Sequence, residues 1–259
     1  MDPATLIGIV LAFGALYATV TLEGAHIEAL LLPAPMILVF GATLAVGLAG
    51  STMKDTLRAL RALPKAFAGR RPQTSSTIET MVSLAEKARV EGLLSLESQA
   101  ADSKDPFLAK ALQSLADGTD SEDLRTMLED EIAARQRTER SAARFFQSLG
   151  GYAPTIGIVG TVVSLTHVLE KLSTPDALGP LIASAFVATL WGLLSANFLW
   201  LPIAQRLNRL ADLEEDRLTI ILEGALALQA GAQPVLLADR LRALAPETAP
   251  SRGAGKAAA

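Results

Sequence analysis

The chain has no cysteine and only two histidines, His26 and His167. Without cysteine there is neither a disulfide nor a thiol nucleophile. Two histidines so far apart supply no zinc ligand set, so no metal site is expected. No GxxxxGK[ST] loop occurs, so nothing cradles a nucleotide phosphate and no cofactor is expected. Paired acids, HExxH and nucleophile–base sets are also missing, which argues against an enzyme. A net charge of −4 gives no reason to expect nucleic acid as a partner. One further absence has the largest consequence. From Phe145 to Leu169, and again from Ala177 to Gln205, there is no Asp, Glu, Lys or Arg.

Half of the residues (50%) are hydrophobic and the mean hydropathy is +0.35, yet 19% are charged. The charges must therefore be segregated into their own segments. Both uncharged runs exceed the roughly 20 residues that a helix needs to cross a bilayer, and only Glu170, Lys171 and Asp176 break the interval between them. A fully buried soluble helix is the alternative, but two such runs back to back speak against it. Ala4 to Val20 is a third apolar run. Its acidic start and the apolar run that follows at once fit a retained span rather than a signal peptide, and Pro3 suits a first helical turn. Glu23, His26 and Glu28 form a short polar link, in which His26 reads as a solvated loop residue rather than part of a proton path. A fourth run covers Leu30 to Gly50, with Pro33 and Pro35 near its start and Gly41, Ala42 and Thr43 as a small patch.

Lys54, Arg58, Arg61, Lys65, Arg70 and Arg71 crowd the segment after Gly50, and Arg206, Arg209 and Arg217 follow the last run. The link between the first two spans has no Lys or Arg, and that between the last two has only Lys171. The positive-inside rule then puts the middle segment and both termini in the cytoplasm and both short links outside. The expected fold is all-α: a polytopic protein with four transmembrane helices and a helical cytoplasmic domain, multi-pass in a membrane whose lipid is its solvent. Residues 1–50 form one transmembrane hairpin, 51–148 a cytoplasmic helical domain, 149–205 a second hairpin, 206–246 C-terminal cytoplasmic helices and 247–259 a disordered tail.

Within the middle segment, Ser76 or Thr77 is a plausible N-cap ahead of Glu79, and Ile78, Met81, Leu84, Ala85 and Ala88 keep helical spacing. Gly92 breaks that helix. Further short helices are expected over Leu93 to Ala101 and Phe107 to Leu115, the latter stopping at Asp117-Gly118. Ser121-Glu-Asp opens another, its acids at the positive end, which can continue through Arg144 into the third span. Past the membrane, Leu207 to Leu228 is amphipathic, Gly231 to Pro234 is a turn and Val235 to Leu244 is helical.

The last two spans each carry a small face. Pro154, Gly157, Thr161 and Ser164 step by three or four residues, as do Ala185, Ala188, Thr189, Gly192 and Ala196. Two readings stand. Small faces let membrane helices pack closely, or Thr161 and Thr189 line a narrow wet path. Pro154 and Pro202 are hinges or helix ends, and taken alone Pro202 reads as an end. No carboxylate lies inside any apolar run, whereas an ion-driven machine needs one to bind and release its ion. A partner therefore supplies the acid, or no ion moves. A force-transmitting ion-channel subunit and a membrane scaffold without ion flow both remain, and the charged middle segment is a contact surface or a solvated face.

Ala153-Pro154-Thr-Ile-Gly157-Ile-Val-Gly160-Thr161, then Gly179-Pro180 and Ala188-Thr189-Leu190-Trp191-Gly192, with Asn197 and Pro202-Ile203-Ala204, resemble the flagellar motor stator A subunit family, the MotA/PomA family. Ala88-Arg89-Val90-Glu91-Gly92-Leu93-Leu94-Ser95-Leu96-Glu97 is similar to that family's charged signature. Asp117-Gly118-Thr119-Asp120 and Glu223-Gly224-Ala-Leu-Ala-Leu-Gln229 also match, so the resemblance spans residues 1 to 245. Ser164 stands where the family usually has Gly, Ala42 where a second Gly is common, Gln233 where Asn is usual, and Val90 at a position that is often basic. The resemblance implies a B subunit with one transmembrane helix (MotB/PomB type) that carries the missing Asp, with A subunits as a pentamer around a B dimer. It implies that ion flow turns the A ring against the rotor protein FliG in the bacterial inner membrane. By the same resemblance Arg89 and Glu97 are rotor-contact charges. Thr161, Thr189 and the neighbouring Ala188 belong to the ion path, and Pro154 and Pro202 couple ion passage to movement. Ala188-Thr189 offers one hydroxyl where sodium-type members tend to carry two, so protons are the expected coupling ion. The related ExbB/TolQ energisers of outer-membrane processes are the alternative family.

Overall fold

The structure, a computed structural model, describes residues 4–24, 26–69 and 72–245. Pro3, Arg70, Arg71 and the tail expected at 247–259 lie outside the described residues. All regular elements among the described residues are helical. Helix α1 (Ala4–Leu22) is apolar all round and buries only Val20, as suits a helix whose solvent is lipid. Helix α2 (Pro33–Ala49) starts later than the expected Leu30. Ile27–Leu30 form a 3-10 turn, and Pro33 takes the first helical position, where its missing N–H costs nothing. At 1.5 Å per residue α2 spans roughly 25 Å, less than a hydrocarbon core of about 30 Å. Helices α7 (Ser121–Glu170) and α8 (Pro175–Gln229) join α1 as helices long and apolar enough to cross a membrane.

The chain forms two compact units. The first comprises residues 1–70 and 138–210, the second 71–137 and 211–259. The first contains α1, α2, α3 (Met53–Ala68) and the apolar stretches of α7 and α8. Thr52 caps α3 by accepting the Asp55 amide at 3.2 Å, and Asp55 sits favourably in the first turn. Ala59 and Ala66 of α3 pack with Phe145, Phe146 and Leu149 of α7 and with Ile203 and Leu207 of α8. Trp200 stacks on Phe146, with ring centroids 6.4 Å apart.

The second unit contains α4 (Thr74–Glu91), α5 (Leu96–Asp102), α6 (Pro106–Ala116), α9 (Pro234–Leu244) and the remaining stretches of α7 and α8. Its core joins Met81, Leu84, Phe107, Leu112, Leu124, Leu128, Leu218, Ile221 and Leu241, all buried. Of the residues expected to share one face of α4, Ile78, Met81, Leu84 and Ala85 are buried, and Ala88 is half-buried against the same core. The expected cap is not formed. Ser76 and Thr77 donate backwards to the Gln73 carbonyl at 2.9 and 3.3 Å, inside a helix that already began at Thr74. A hydroxyl spent on an upstream carbonyl is not accepting an amide, so neither residue is the N-cap. Helix α6 is capped by Asp105, which accepts the Phe107 amide at 3.0 Å, with Pro106 as its first residue.

Helices α6 and α8 end alike. Gly118 and Gly231 take φ of +73° and +69°. The residue after each glycine returns its N–H across the last turn, Thr119 to the Ser114 carbonyl and Ala232 to the Ala227 carbonyl, both at 3.0 Å. This termination needs a left-handed residue, which glycine adopts without a Cβ penalty.

Two helices are interrupted by a π turn rather than broken. Ile37–Gly41 does this in α2 and Ser195–Trp200 in α8. Pro202 follows the second π turn and lies inside α8, and Pro154 lies inside α7. Neither proline is a helix end. A proline cannot donate to the carbonyl four residues back, and the wider turn immediately before Pro202 absorbs that mismatch.

Candidate functional site

The uncharged stretches of α7 and α8 meet along their small faces, and glycine decides how closely. A Cβ on Gly157 would lie 2.9 Å from the Ala188 carbonyl oxygen and 3.2 Å from the Cα atoms of Thr189 and Gly192. A Cβ on Gly160 would lie 2.8 Å from that of Ala188. The two backbones therefore touch with no side chain between them. Ala188 is buried within this contact.

One helical turn beyond Gly157, the hydroxyls of Thr161 and Thr189 are hydrogen-bonded to each other. Thr161 Oγ1 also lies 3.1 Å from the Gly157 carbonyl oxygen on its own helix and 3.1 Å from the Ala185 carbonyl oxygen on α8. A threonine hydroxyl has one proton and two lone pairs. Carbonyls only accept, so the arrangement that uses every proton has Thr189 donating to Thr161 and Thr161 donating to a carbonyl. Both threonines are half-buried. The cluster is a short chain of neutral oxygens able to order water or pass a proton, and it contains no group that holds a charge. Packing and the hydroxyl pair thus coexist on one face, the packing made by the glycines and Ala188 and the polar contact by the threonines.

Sequence reasoning missed the residue that fixes α8 beside α2. Trp191 donates its indole N–H to the Leu30 carbonyl at 2.7 Å and packs on Phe40, with centroids 5.8 Å apart. The acceptor is 161 residues away in sequence, and its only sequence signal was tryptophan within the Ala188–Gly192 match.

In the second unit Arg89, on α4, and Glu97, on α5, are both exposed. Neither makes an ion pair among the described residues, whereas the neighbouring Lys87 and Glu91 lie 4.0 Å apart as a pair. Between them in sequence, Val90 and Leu94 are 85% and 70% exposed, although both are large and apolar. The structure thus presents two uncommitted charges of opposite sign on a segment that also exposes apolar side chains.

Other charges of this unit are structural. Arg217 hydrogen-bonds both Asp105 and Glu214. Burial pushes the Asp105 carboxyl up, but the Arg217 hydrogen bond and charge, with the Phe107 and Leu108 amides, outweigh it and hold it below the ordinary carboxylate range. The Arg217 guanidinium is held still more firmly protonated by its bond to Glu214, against the opposing effect of burial. Glu131 follows the same pattern. Burial pushes it up, and its hydrogen bonds from Lys110 at 2.7 Å and Arg135 at 2.6 Å bring it below its usual value. Glu223 receives Arg125 at 3.1 Å and Arg240 at 2.6 Å. Gln229 donates to the Thr119 carbonyl at 2.7 Å, which ties the Asp117–Asp120 motif to the Glu223–Gln229 motif. Gly224 leaves room for Met81, whose Cε would lie 2.6 Å from an added Cβ.

Comparison with known proteins agrees with this geometry. A model of the MotA/TolQ/ExbB proton channel family matches residues 99–219, and one of the motility protein A N-terminal region matches residues 6–92. The chain is 32% identical to motility protein A of Bacillus subtilis over 246 residues, 93% of this chain and 90% of that one. It is 30% identical to chemotaxis protein PomA of Vibrio alginolyticus, over 93% of this chain and 94% of that one. The solved flagellar MotAB stator complex from Bacillus subtilis contains a chain superposing with a TM-score of 0.88 at 31% identity, over 95% of this chain and 96% of that one. The C. jejuni MotAB structure gives a TM-score of 0.92 at 26% identity, over 96% and 98% of the two chains. Near-complete coverage at this identity, with both family models in sequence order, identifies the chain as a member of the MotA/TolQ/ExbB proton channel family, of its motility protein A kind.

Proposed function

We propose that this protein is the ion-conducting A subunit of a bacterial flagellar stator, working with a B subunit that provides one transmembrane helix and the ion-binding Asp. The carrying observation is the hydroxyl pair of Thr161 and Thr189 in a close helix contact that holds no acid. Such a path can relay a proton but cannot hold one, so the carboxylate comes from a second chain. Relatives solved as MotAB complexes support that partner. Relatives covering nine tenths of this chain bear motility or chemotaxis names, which favours the stator over an ExbB/TolQ-like energiser.

The finer reading follows the same line. The protein sits in the inner membrane with four spans, α2 being the short one, and both termini cytoplasmic. Five copies surround a B dimer, and Arg89 and Glu97, with Val90 and Leu94 beside them, meet FliG. Pro154 and Pro202 lie where α7 and α8 bend as the ion passes. Protons are the coupling ion.

The test is complementation. Cells lacking their own stator should swim when given this chain with a B subunit, and should not swim when the B subunit's transmembrane Asp is changed to Asn. Restored import across the outer membrane in cells lacking ExbB, without motility, would overturn the stator reading.

A further inference from the structure

A groove in the first unit shares only Pro202 with the function above. It lies between α1 and α8, has a volume of about 430 Å³, and is lined by Ala4, Thr5, Gly8, Ile9 and Ala12 on one wall. Asn197, Phe198, Pro202, Gln205, Arg206 and Arg209 make the other wall. At the Phe198 end, Phe13 meets Phe198 edge to face, with centroids 5.5 Å apart. Along α1 the lining is small apart from Ile9, and a Cβ on Gly8 would meet nothing within 4 Å. The groove is therefore open space beside a glycine, unlike the filled contact at Gly157.

Its two ends differ in chemistry. The end near Phe198 is apolar but for Asn197, whose amide donates to the Leu193 carbonyl at 2.9 Å. The other end carries Gln205, Arg206 and Arg209. Arg206 reaches the Gly69 carbonyl at 3.5 Å, whereas Arg209 is exposed and makes no ion pair among the described residues. An apolar slot on a helix that otherwise faces lipid, ending in two guanidinium groups, fits an acyl chain attached to an anion. Guanidinium takes phosphate oxygens in bidentate fashion. A basic end at the cytoplasmic edge of a span is also where anionic headgroups lie.

We propose that this groove binds one anionic phospholipid of the cytoplasmic leaflet, with one acyl chain between α1 and α8 and its phosphate on Arg209 and Arg206. The occupant is chosen by charge complementarity joined to an apolar slot, since a zwitterionic lipid would bring its own cation to the arginines. The proposal rests on the orientation given above, with the Arg209 end cytoplasmic. That orientation is checked separately by labelling cysteines at Glu23 and Glu122 with an impermeant thiol reagent, where only the Glu23→Cys protein should react from outside.

The experiment uses the intact complex with its B subunit, released in mild detergent and titrated with phosphatidylglycerol or phosphatidylcholine while bound lipid is counted by native mass spectrometry. Phosphatidylglycerol should bind about fivefold or more tightly than phosphatidylcholine. Arg209→Gln should abolish that preference. Gly8→Phe should remove the bound lipid by filling the slot, whereas Gly14→Phe, on the same helix but outside the groove, should leave it. The proposal is overturned if the two lipids bind alike, if inorganic phosphate displaces the lipid while Gly8→Phe has no effect, or if a Gly8→Cys protein cross-links to the B subunit or to a neighbouring copy.

Discussion

Gly192 and Gly157 face each other backbone to backbone, and a Cβ placed on Gly192 would stand 3.0 Å from the Gly157 Cα and 2.8 Å from the Ala153 carbonyl oxygen. A methyl group here cannot be met by rotating a side chain, because the neighbours are main chain. Gly192→Ala should force α7 and α8 apart by a few tenths of an ångström, at an overpacking cost of about 1–3 kcal/mol. The expected result is a lower yield of assembled complex and slower swimming. Gly179→Ala, where nothing lies within 4 Å, should leave both unchanged.

The hydroxyl pair predicts a sharper effect on rate than on assembly. Thr161→Val keeps the shape and removes the oxygen that links Thr189 to the Gly157 and Ala185 carbonyls. Losing one such hydrogen bond is worth about 1 kcal/mol, or roughly fivefold in rate if it acts in the rate-limiting transfer. Swimming speed at fixed load should fall on that scale in Thr161→Val and in Thr189→Val with normal membrane levels. Thr161→Ser should retain most of the speed.

The coupling ion is tested by exchange of salts. Dehydrated sodium needs several oxygen ligands, and this contact offers two hydroxyls already bonded to each other and two carbonyls, with the buried Ala188 adding none. Swimming speed at constant membrane potential and pH should stay the same as external sodium is replaced by potassium. A collapse of speed without sodium would reverse the assignment.

The exposed segment between α4 and α5 should act through charge and apolar contact together. A single exposed pair is worth only about 0–1 kcal/mol, so Arg89→Gln alone should reduce swimming only in part. Arg89→Glu with Glu97→Lys should abolish it at normal expression, and compensating charge reversals on the rotor should restore some motility. Leu94→Asp should weaken the contact comparably, since Leu94 is 70% exposed and a charge would wet an apolar surface.

Asp105 carries a pH dependence whose sign is fixed by its environment. Its carboxyl is held below the usual range of about 4. A depressed folded-state pKa stabilises the second unit at all pH values above the unfolded one, and the benefit is lost as pH falls below about 4 through the folded value. Amide protection factors in α6, followed by hydrogen exchange on the detergent-solubilised complex, should be flat from pH 7 to 5 and fall below 4. Asp105→Asn should lower them already at pH 7 by about a factor of five, since the partly exposed pair with Arg217 is worth on the order of 1 kcal/mol.

Much of this architecture could be read from where charge is missing. The uncharged runs fall inside α7 and α8, and the helical spacing of Ile78, Met81, Leu84 and Ala85 named a buried face correctly. These are local signals, set by burial every three or four residues. The Ser76 or Thr77 cap was read wrongly because both hydroxyls had a competing acceptor in Gln73. Trp191 on the Leu30 carbonyl and Gln229 on the Thr119 carbonyl join residues more than a hundred positions apart, and no periodicity encodes such a pair. The family motifs marked Thr161 and Thr189 individually, but only the fold shows that their hydroxyls meet.

The π turn at Ser195–Trp200 also sets a reading frame. A π turn has the geometry of an α-helix into which one residue has been inserted, and each α-helical residue advances the azimuth by about 100°. Ile203, Ala204 and Leu207 face the Phe146 cluster only because that extra residue was counted before them. Deleting one residue from the turn would restore a regular helix and swing everything downstream in the first unit through roughly a quarter of a circle, carrying Leu207 off its cluster. A single-codon deletion there would thus behave as a frameshift in space, leaving every side chain chemically intact and nearly all of them facing the wrong way.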